Sequence, residues 1–291
     1  MFQGSIVALV TPFRNAELDE QAFQRLIEWH LAEGTQGFVP VGTTGESPTL
    51  THPEHERVIE LCIETVGGRV PVIAGTGSNS TAEAISLTRH AKRAGADAAL
   101  VVTPYYNKPT QEGLYAHFRA IHDAVELPLI IYNIPGRSIV DMTPETMSRL
   151  ARLPNIVGVK DSSADIMRPL LTHAACGAEF SQLSGEDGNV VAFLAHGGHG
   201  CISVTANVAP RLCADMHRAW REGRPAEALA VHRRLLPLHQ SLFCETSPGP
   251  VKYALSRLGR CTDEVRLPLV PLGERAKAQV DAALAAVGLA G

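Results

Sequence analysis

The stretch Asn155–Asp165, NIVGVKDSSAD, sets one lysine at the end of an apolar run. Ile156, Val157, Gly158 and Val159 offer apolar groups to both faces of an extended chain. That pattern predicts a strand buried on both sides, as in a parallel sheet. Lys160 must then reach water, pair with an acid, or be kept for chemistry.

Runs of the same kind recur along the chain. They predict strands at SIVALV (5–10), GFVPVG (37–42), PVIAG (71–75), AALVVT (98–103), PLIIYN (128–133), IVGVK (156–160), FSQLSG (180–185) and GCISV (200–204). Helical periodicity fills the gaps, at 18–32, 53–66, 82–94, 112–125 and 144–153. In the first of these, Phe23, Leu26, Ile27, His30 and Leu31 share one face. Eight βα units predict an α/β fold, a (β/α)8 TIM barrel over residues 1–224. A doubly wound sheet is the alternative, but it commonly uses fewer units and a glycine-rich first turn. Residues 225–291 contain no strand pattern and read as a small helical appendage, with helices near 226–239, 250–258 and 273–287. No low-complexity linker precedes it, which predicts that it packs on the barrel.

Composition narrows the function. The chain has 291 residues, 45% hydrophobic, with a net charge of −4, so a large core is available and nucleic acid is a poor partner. The N-terminus lacks the basic and apolar regions of a signal peptide, and no apolar run approaches the ~18 residues that span a bilayer. The six cysteines are widely spaced and form no CxxC, which predicts reduced thiols in a cytoplasmic protein.

In such a barrel the active site lies where the strands end. Those ends carry Thr11, GTTGES (42–47), GTGSNS (75–80), TPYYNKP (103–109), YNIPGR (132–137), Lys160, SGED (184–187) and SVTAN (203–207). Hydroxyls, glycines, tyrosines, one arginine and one lysine converge there. Only five lysines occur, and Lys160 alone ends a strand. A neutral lysine amine attacks carbonyls, and a partly dry site favours the neutral form. Lys160 is therefore either an imine-forming nucleophile or a structural lysine paired with an acid. Tyr132 ends the neighbouring strand and can carry protons for it, or be a core tyrosine. GTTGE offers successive backbone N–H groups and the hydroxyls of Thr43 and Thr44, a nest for a carboxylate. It can equally be a tight turn that needs glycine. Arg137 can clamp a carboxylate bidentately or face solvent. At most one of the adjacent Tyr105 and Tyr106 can face inward, and the other can reach across a subunit boundary. HGGHG (196–200) lacks a third ligand, so no metal is expected. Thr51 and Pro53 read as the cap and first residue of a helix.

Together, GSIVALVTPF, VGTTGES, PVIAGTGSNST, TPYYNKPTQEGL, YNIPGR, GVK, ISVTANVAP and PVKYA resemble the dihydrodipicolinate synthase family. That family lies within the pyruvate-dependent class I aldolases, and the resemblance runs through nearly the whole chain. It implies condensation of pyruvate with L-aspartate 4-semialdehyde, with no cofactor beyond a covalent imine to Lys160. It implies a proton relay of Thr43, Tyr132 and Tyr106, with Tyr106 coming from the neighbouring subunit. Thr43 and Thr44 would hold the pyruvate carboxylate, Arg137 would receive the semialdehyde carboxylate, and Gly185 and Ile202 would line the pocket. A homotetramer built as a dimer of dimers is implied. So is inhibition by L-lysine at Ser47, Pro48, His52, His55, Asn79, Glu83 and Tyr105. Three departures stand out. Pro48 takes a position where alanine is common, DSSAD follows Lys160 where the synthases often carry Glu-Ala-Ser/Thr, and Ser247 replaces a usual asparagine. The second leaves a sister aldolase acting on a sugar acid or 4-hydroxy-2-oxoglutarate as an alternative. A non-catalytic paralogue is a further alternative, against which Lys160, Tyr132, Thr43 and Tyr106 speak.

Overall fold

The computed structural model describes residues 1–289. Eight parallel strands form one sheet: β1 (Gly4–Ala8), β2 (Phe38–Val39), β3 (Ile73–Gly75), β4 (Ala98–Val102), β5 (Leu129–Asn133), β6 (Ile156–Asp161), β7 (Ser181–Ser184) and β8 (Gly200–Ser203). Their order is β2-β1-β8-β7-β6-β5-β4-β3, so strands adjacent in the chain are neighbours and the row's two ends are consecutive strands. That cyclic order, with helices between the strands, is the (β/α)8 barrel the sequence predicts. Every residue of β1, β5, β7 and β8 is buried, and in β1 and β5 this shows as nearly continuous rather than alternating apolar runs, whereas β7, SQLS, buries mostly polar side chains.

Contacts divide the chain into two compact units. One comprises Met1–Gln3 with Pro71–Ile202, and the other Gly4–Val70 with the chain from Ser203 onward. The first unit holds the ladder from β3 to β8. Its register pairs Val102 with Tyr132, Tyr132 with Lys160, and Lys160 with Leu183. Gly158 lies opposite Ser181. A Cβ there would overlap the Ser181 carbonyl oxygen, so the two strands approach where only hydrogen fits.

The second unit pairs β1 with β2 through Val7–Phe38 and Ala8–Val39. It also contains the last helices, Pro225–Ser241, Gly249–Arg257 and Glu274–Ala286. The first of these packs on both Pro210–Arg221 and Glu274–Ala286.

Several boundaries differ from the sequence reading. β2 stops at Val39 because the chain turns at once, with Val41 at φ 48°. Helix His52–Val66 begins one residue early, so Pro53 is its second residue. Thr51 caps it, accepting from the Glu54 N–H at 3.4 Å while Glu54 accepts from the Thr51 N–H at 2.8 Å. A short hairpin, Phe13–Arg14 with Glu17–Leu18, was not expected. Its turn places Asn15 and Ala16 at φ 56° and 67°, and alanine there carries no turn signal.

Candidate active site

Lys160 and Tyr132 are the penultimate residues of adjacent strands, each one residue short of the strand end, and they pair in register, so their side chains leave the sheet on the same face. The Lys160 Nζ lies 4.1 Å from the centre of the Tyr132 ring, and both residues are only 6% exposed. The amine thus rests on the aromatic face rather than on the phenol oxygen.

The loop after β7 closes against this lysine. Gly185 donates its N–H to the Asp161 carbonyl at 2.7 Å. A Cβ on Gly185 would overlap the Ser162 hydroxyl and lie 2.9 Å from the Lys160 Cε. Ser162 is buried and is anchored by its N–H to the Asn133 carbonyl at 2.8 Å. Glu186 follows. Burial raises its carboxyl above the ordinary range, helped by the charges of Asp187 and Asp161 and opposed by Lys160. Sequence reasoning passed over Ser162 and Glu186. Their only signal was position: one follows the lysine by two residues, and the other is an acid at a strand end.

A polar network fixes the ends of β5 and β6. Asn133, fully buried, donates to Asp141 at 2.8 Å and to Asp161 at 3.1 Å, and accepts from the Met142 N–H at 3.0 Å. Arg168 grips Asp141 with two bonds, at 2.9 and 2.6 Å. Burial works against ionisation of Asp141, but the bonds from Arg168 and Asn133 prevail and hold its carboxyl below the usual range.

Arg137 sits in the short helix Pro135–Ser138, exposed and without an ion pair among the described residues. Ser138 below it accepts from the Thr103 hydroxyl at 3.1 Å. Ile202, in β8, is wholly buried. Tyr105 is 36% exposed and Tyr106 is 89% exposed, so neither tyrosine is buried within the protomer. Tyr106 and Lys108 hold positive φ, 72° and 46°, strain of the kind that collects at functional loops. Asn79 accepts from the Asn107 amide at 2.9 Å, and Glu83 accepts from the Ser78 hydroxyl.

In the other unit, Thr44 is buried and Thr43 half-buried, in the turn that follows β2. Ser47 opens a single 3-10 turn with Pro48 exposed in it. His52 is exposed, and His55 is buried. Glu46, the acid of GTTGES, meets Lys252 of PVKYA in an ion pair with almost no exposure on either side chain. In the sequence, GTTGES signals only backbone and hydroxyl donors, and Lys252 is marked only by its place in PVKYA.

His196 and His199 both bind backbone, at the Ile166 carbonyl and at the Gln182 N–H respectively. No group of three His, Cys, Asp or Glu residues among the described residues is placed to hold a metal. No helix among them is long and apolar enough to cross a membrane.

A (β/α)8 barrel with an amine buried over a phenol at the end of its sixth strand has the architecture of an imine-forming aldolase. The chain belongs to the dihydrodipicolinate synthetase family, whose profile matches residues 1–287. It is 68% identical to the 4-hydroxy-tetrahydrodipicolinate synthase of Rhodospirillum centenum, over 99% of each chain. Among solved structures, a chloride-inhibited dihydrodipicolinate synthase from Acinetobacter baumannii complexed with pyruvate superposes with a TM-score of 0.97. It is 46% identical, covering 99% of this chain and 100% of that one. The synthase of Cyanidioschyzon merolae with lysine bound superposes with a TM-score of 0.96 at 39% identity, covering 99% of each. The chain is therefore a lyase of the lysine and diaminopimelate route, condensing pyruvate with L-aspartate 4-semialdehyde to 4-hydroxy-tetrahydrodipicolinate. The sister-aldolase alternative left by DSSAD gives way to this.

Proposed function

We propose that the condensation runs through an imine between pyruvate and Lys160. The observation that carries this is the amine itself, buried at the end of β6 and restrained over Tyr132. The Lys160 nitrogen attacks the C2 carbonyl of pyruvate, a carbinolamine forms, and water leaves. Loss of a C3 proton gives an enamine, which attacks the aldehyde carbon of the second substrate. The amine of that substrate then closes the ring at C2 and displaces Lys160. No cofactor is required, because the imine nitrogen is the electron sink.

Tyr132, Thr43 and Tyr106 move the protons, and Thr43 and Thr44 hold the pyruvate carboxylate. Gly185 and Ile202 line the pocket. Arg137 receives the semialdehyde carboxylate, for which its exposed and unpaired guanidinium is suited. Tyr106 serves a neighbouring subunit in a homotetramer built from dimers. Its 89% exposure supports this, as does an apolar surface of Ile166, Met167, Leu170 and Leu171, each more than 40% exposed. L-lysine inhibits at Ser47, Pro48, His52, His55, Asn79, Glu83 and Tyr105, a reading supported by the similarity to the lysine-bound synthase. The six free cysteines fit a reducing cytoplasm.

The test is pyruvate consumption with each aldehyde in turn. Aspartate semialdehyde is expected to drive it, and Arg137→Ala to weaken that by about 100-fold in kcat/KM, the scale of a lost bidentate carboxylate contact. Undiminished semialdehyde use by R137A would remove Arg137 from this role.

A further inference from the structure

We propose that Glu46 and Lys252 are a positioning pair that holds the Thr43–Thr44 turn in the shape that receives the pyruvate carboxylate. This rests on the role given above to Thr43 and Thr44. Neither Glu46 nor Lys252 is assigned a contact with substrate.

The turn is costly to hold. Gly42 O accepts from the N–H of Gly45 at 3.0 Å and of Ser47 at 3.4 Å, and Thr43 O accepts from the Glu46 N–H at 3.2 Å. Within it Val41 and Glu46, neither a glycine, adopt left-handed φ of 48° and 55°. Such residues persist only where the surroundings over-determine them. Gly45 is hemmed in as well, since a Cβ would lie 3.0 Å from Val41 N and 3.1 Å from Leu9 O. The Thr11 hydroxyl ties down its carbonyl at 2.7 Å.

The Glu46 carboxylate supplies the remaining restraint. One oxygen accepts from the Lys252 Nζ and the other from the Arg266 N–H at 3.0 Å. Lys252 is itself held on three sides: by Glu46, by the Glu264 carbonyl at 2.7 Å, and by the Phe13 ring at 4.1 Å. Burial disfavours its charge, and Glu46 opposes that. A buried ion pair is a poor source of stability, because well-packed apolar residues commonly do as well. Its use here is geometric. Two charges with every bond assigned fix one shape for a strained turn, where an apolar pair would allow several.

The test compares borohydride trapping of pyruvate and of methyl pyruvate, which lacks the carboxylate charge. The variants are the apolar double Glu46→Leu/Lys252→Met and the single E46Q. The single keeps the side-chain volume and one acceptor oxygen but removes the charge that pairs with Lys252, and so gives a second reading of the pair if the double fails to fold. In variants that unfold cooperatively, half-saturation by pyruvate should rise about tenfold or more while methyl pyruvate is trapped as in the unsubstituted protein. Unchanged pyruvate half-saturation overturns the proposal. Equal losses with both compounds also overturn it, because they mark a general structural role. If the unsubstituted protein traps no pyruvate at all, the imine reading itself falls and takes this one with it.

Discussion

Gly185 is the residue on which the site's shape turns most sharply. Its missing side chain leaves room for the Ser162 hydroxyl and the Lys160 Cε at once. Gly185→Ala should cut kcat by about 10-fold or more, since misplacing a reacting group by about an ångström costs up to about 100-fold. Ser162→Ala in the same chain removes the closer of the two obstructions and should restore part of that loss. Steady-state rates of the two variants decide it, and a G185A enzyme of full activity would show that Lys160 has slack. Lys160 was legible in the sequence because a lone charge ending an apolar run stands out. Ser162 and Glu186 were not, because what they touch is set by the approach of the loop after β7 to β6, a non-local fact. Glu46 and Lys252 are 206 positions apart, and no local pattern joins them.

Among the elements, the five helices between the first six strands and the three after residue 225 were legible through their period, while Arg168–Cys176, Val190–Ala195 and Pro210–Arg221 carried no pattern that singled them out. The Thr51 cap was legible too, and Thr51→Ala should lower stability by about 1 kcal/mol, measured as a shift of the urea midpoint with unchanged slope. No shift would mean that water replaces the cap without cost. Strands were legible by their apolar runs, and their ends were less so. β2 is only two residues long because positive φ at Val41 ends it, and the hairpin after Phe13 depends on positive φ at Asn15 and Ala16. Backbone of this kind is imposed by tertiary packing on residues that do not prefer it.

Across the whole molecule, burial of neutral histidines contributes to the loss of stability in acid. His30 is pushed down to about 3, chiefly by burial and then by the charge of Arg260, and burial pushes His117 down to about 4. The unfolded chain takes up these protons near pH ~6.5. Between that pH and the folded values the unfolded state therefore binds more protons, so stability rises with pH. The contribution is full above pH ~6.5 and falls by ~1.4 kcal/mol per pH unit for each histidine as pH drops. His30→Gln should flatten the dependence between pH 6.5 and 4, and an unchanged slope in denaturant unfolding would show that His30 is not one of the groups responsible. The mechanism as a whole stands on one covalent bond. Reduction with borohydride in the presence of pyruvate, followed by peptide mass mapping of the entire chain, should place a single adduct on Lys160 and on none of the other four lysines. No adduct, or one on Lys92, Lys108, Lys252 or Lys277, would contradict it.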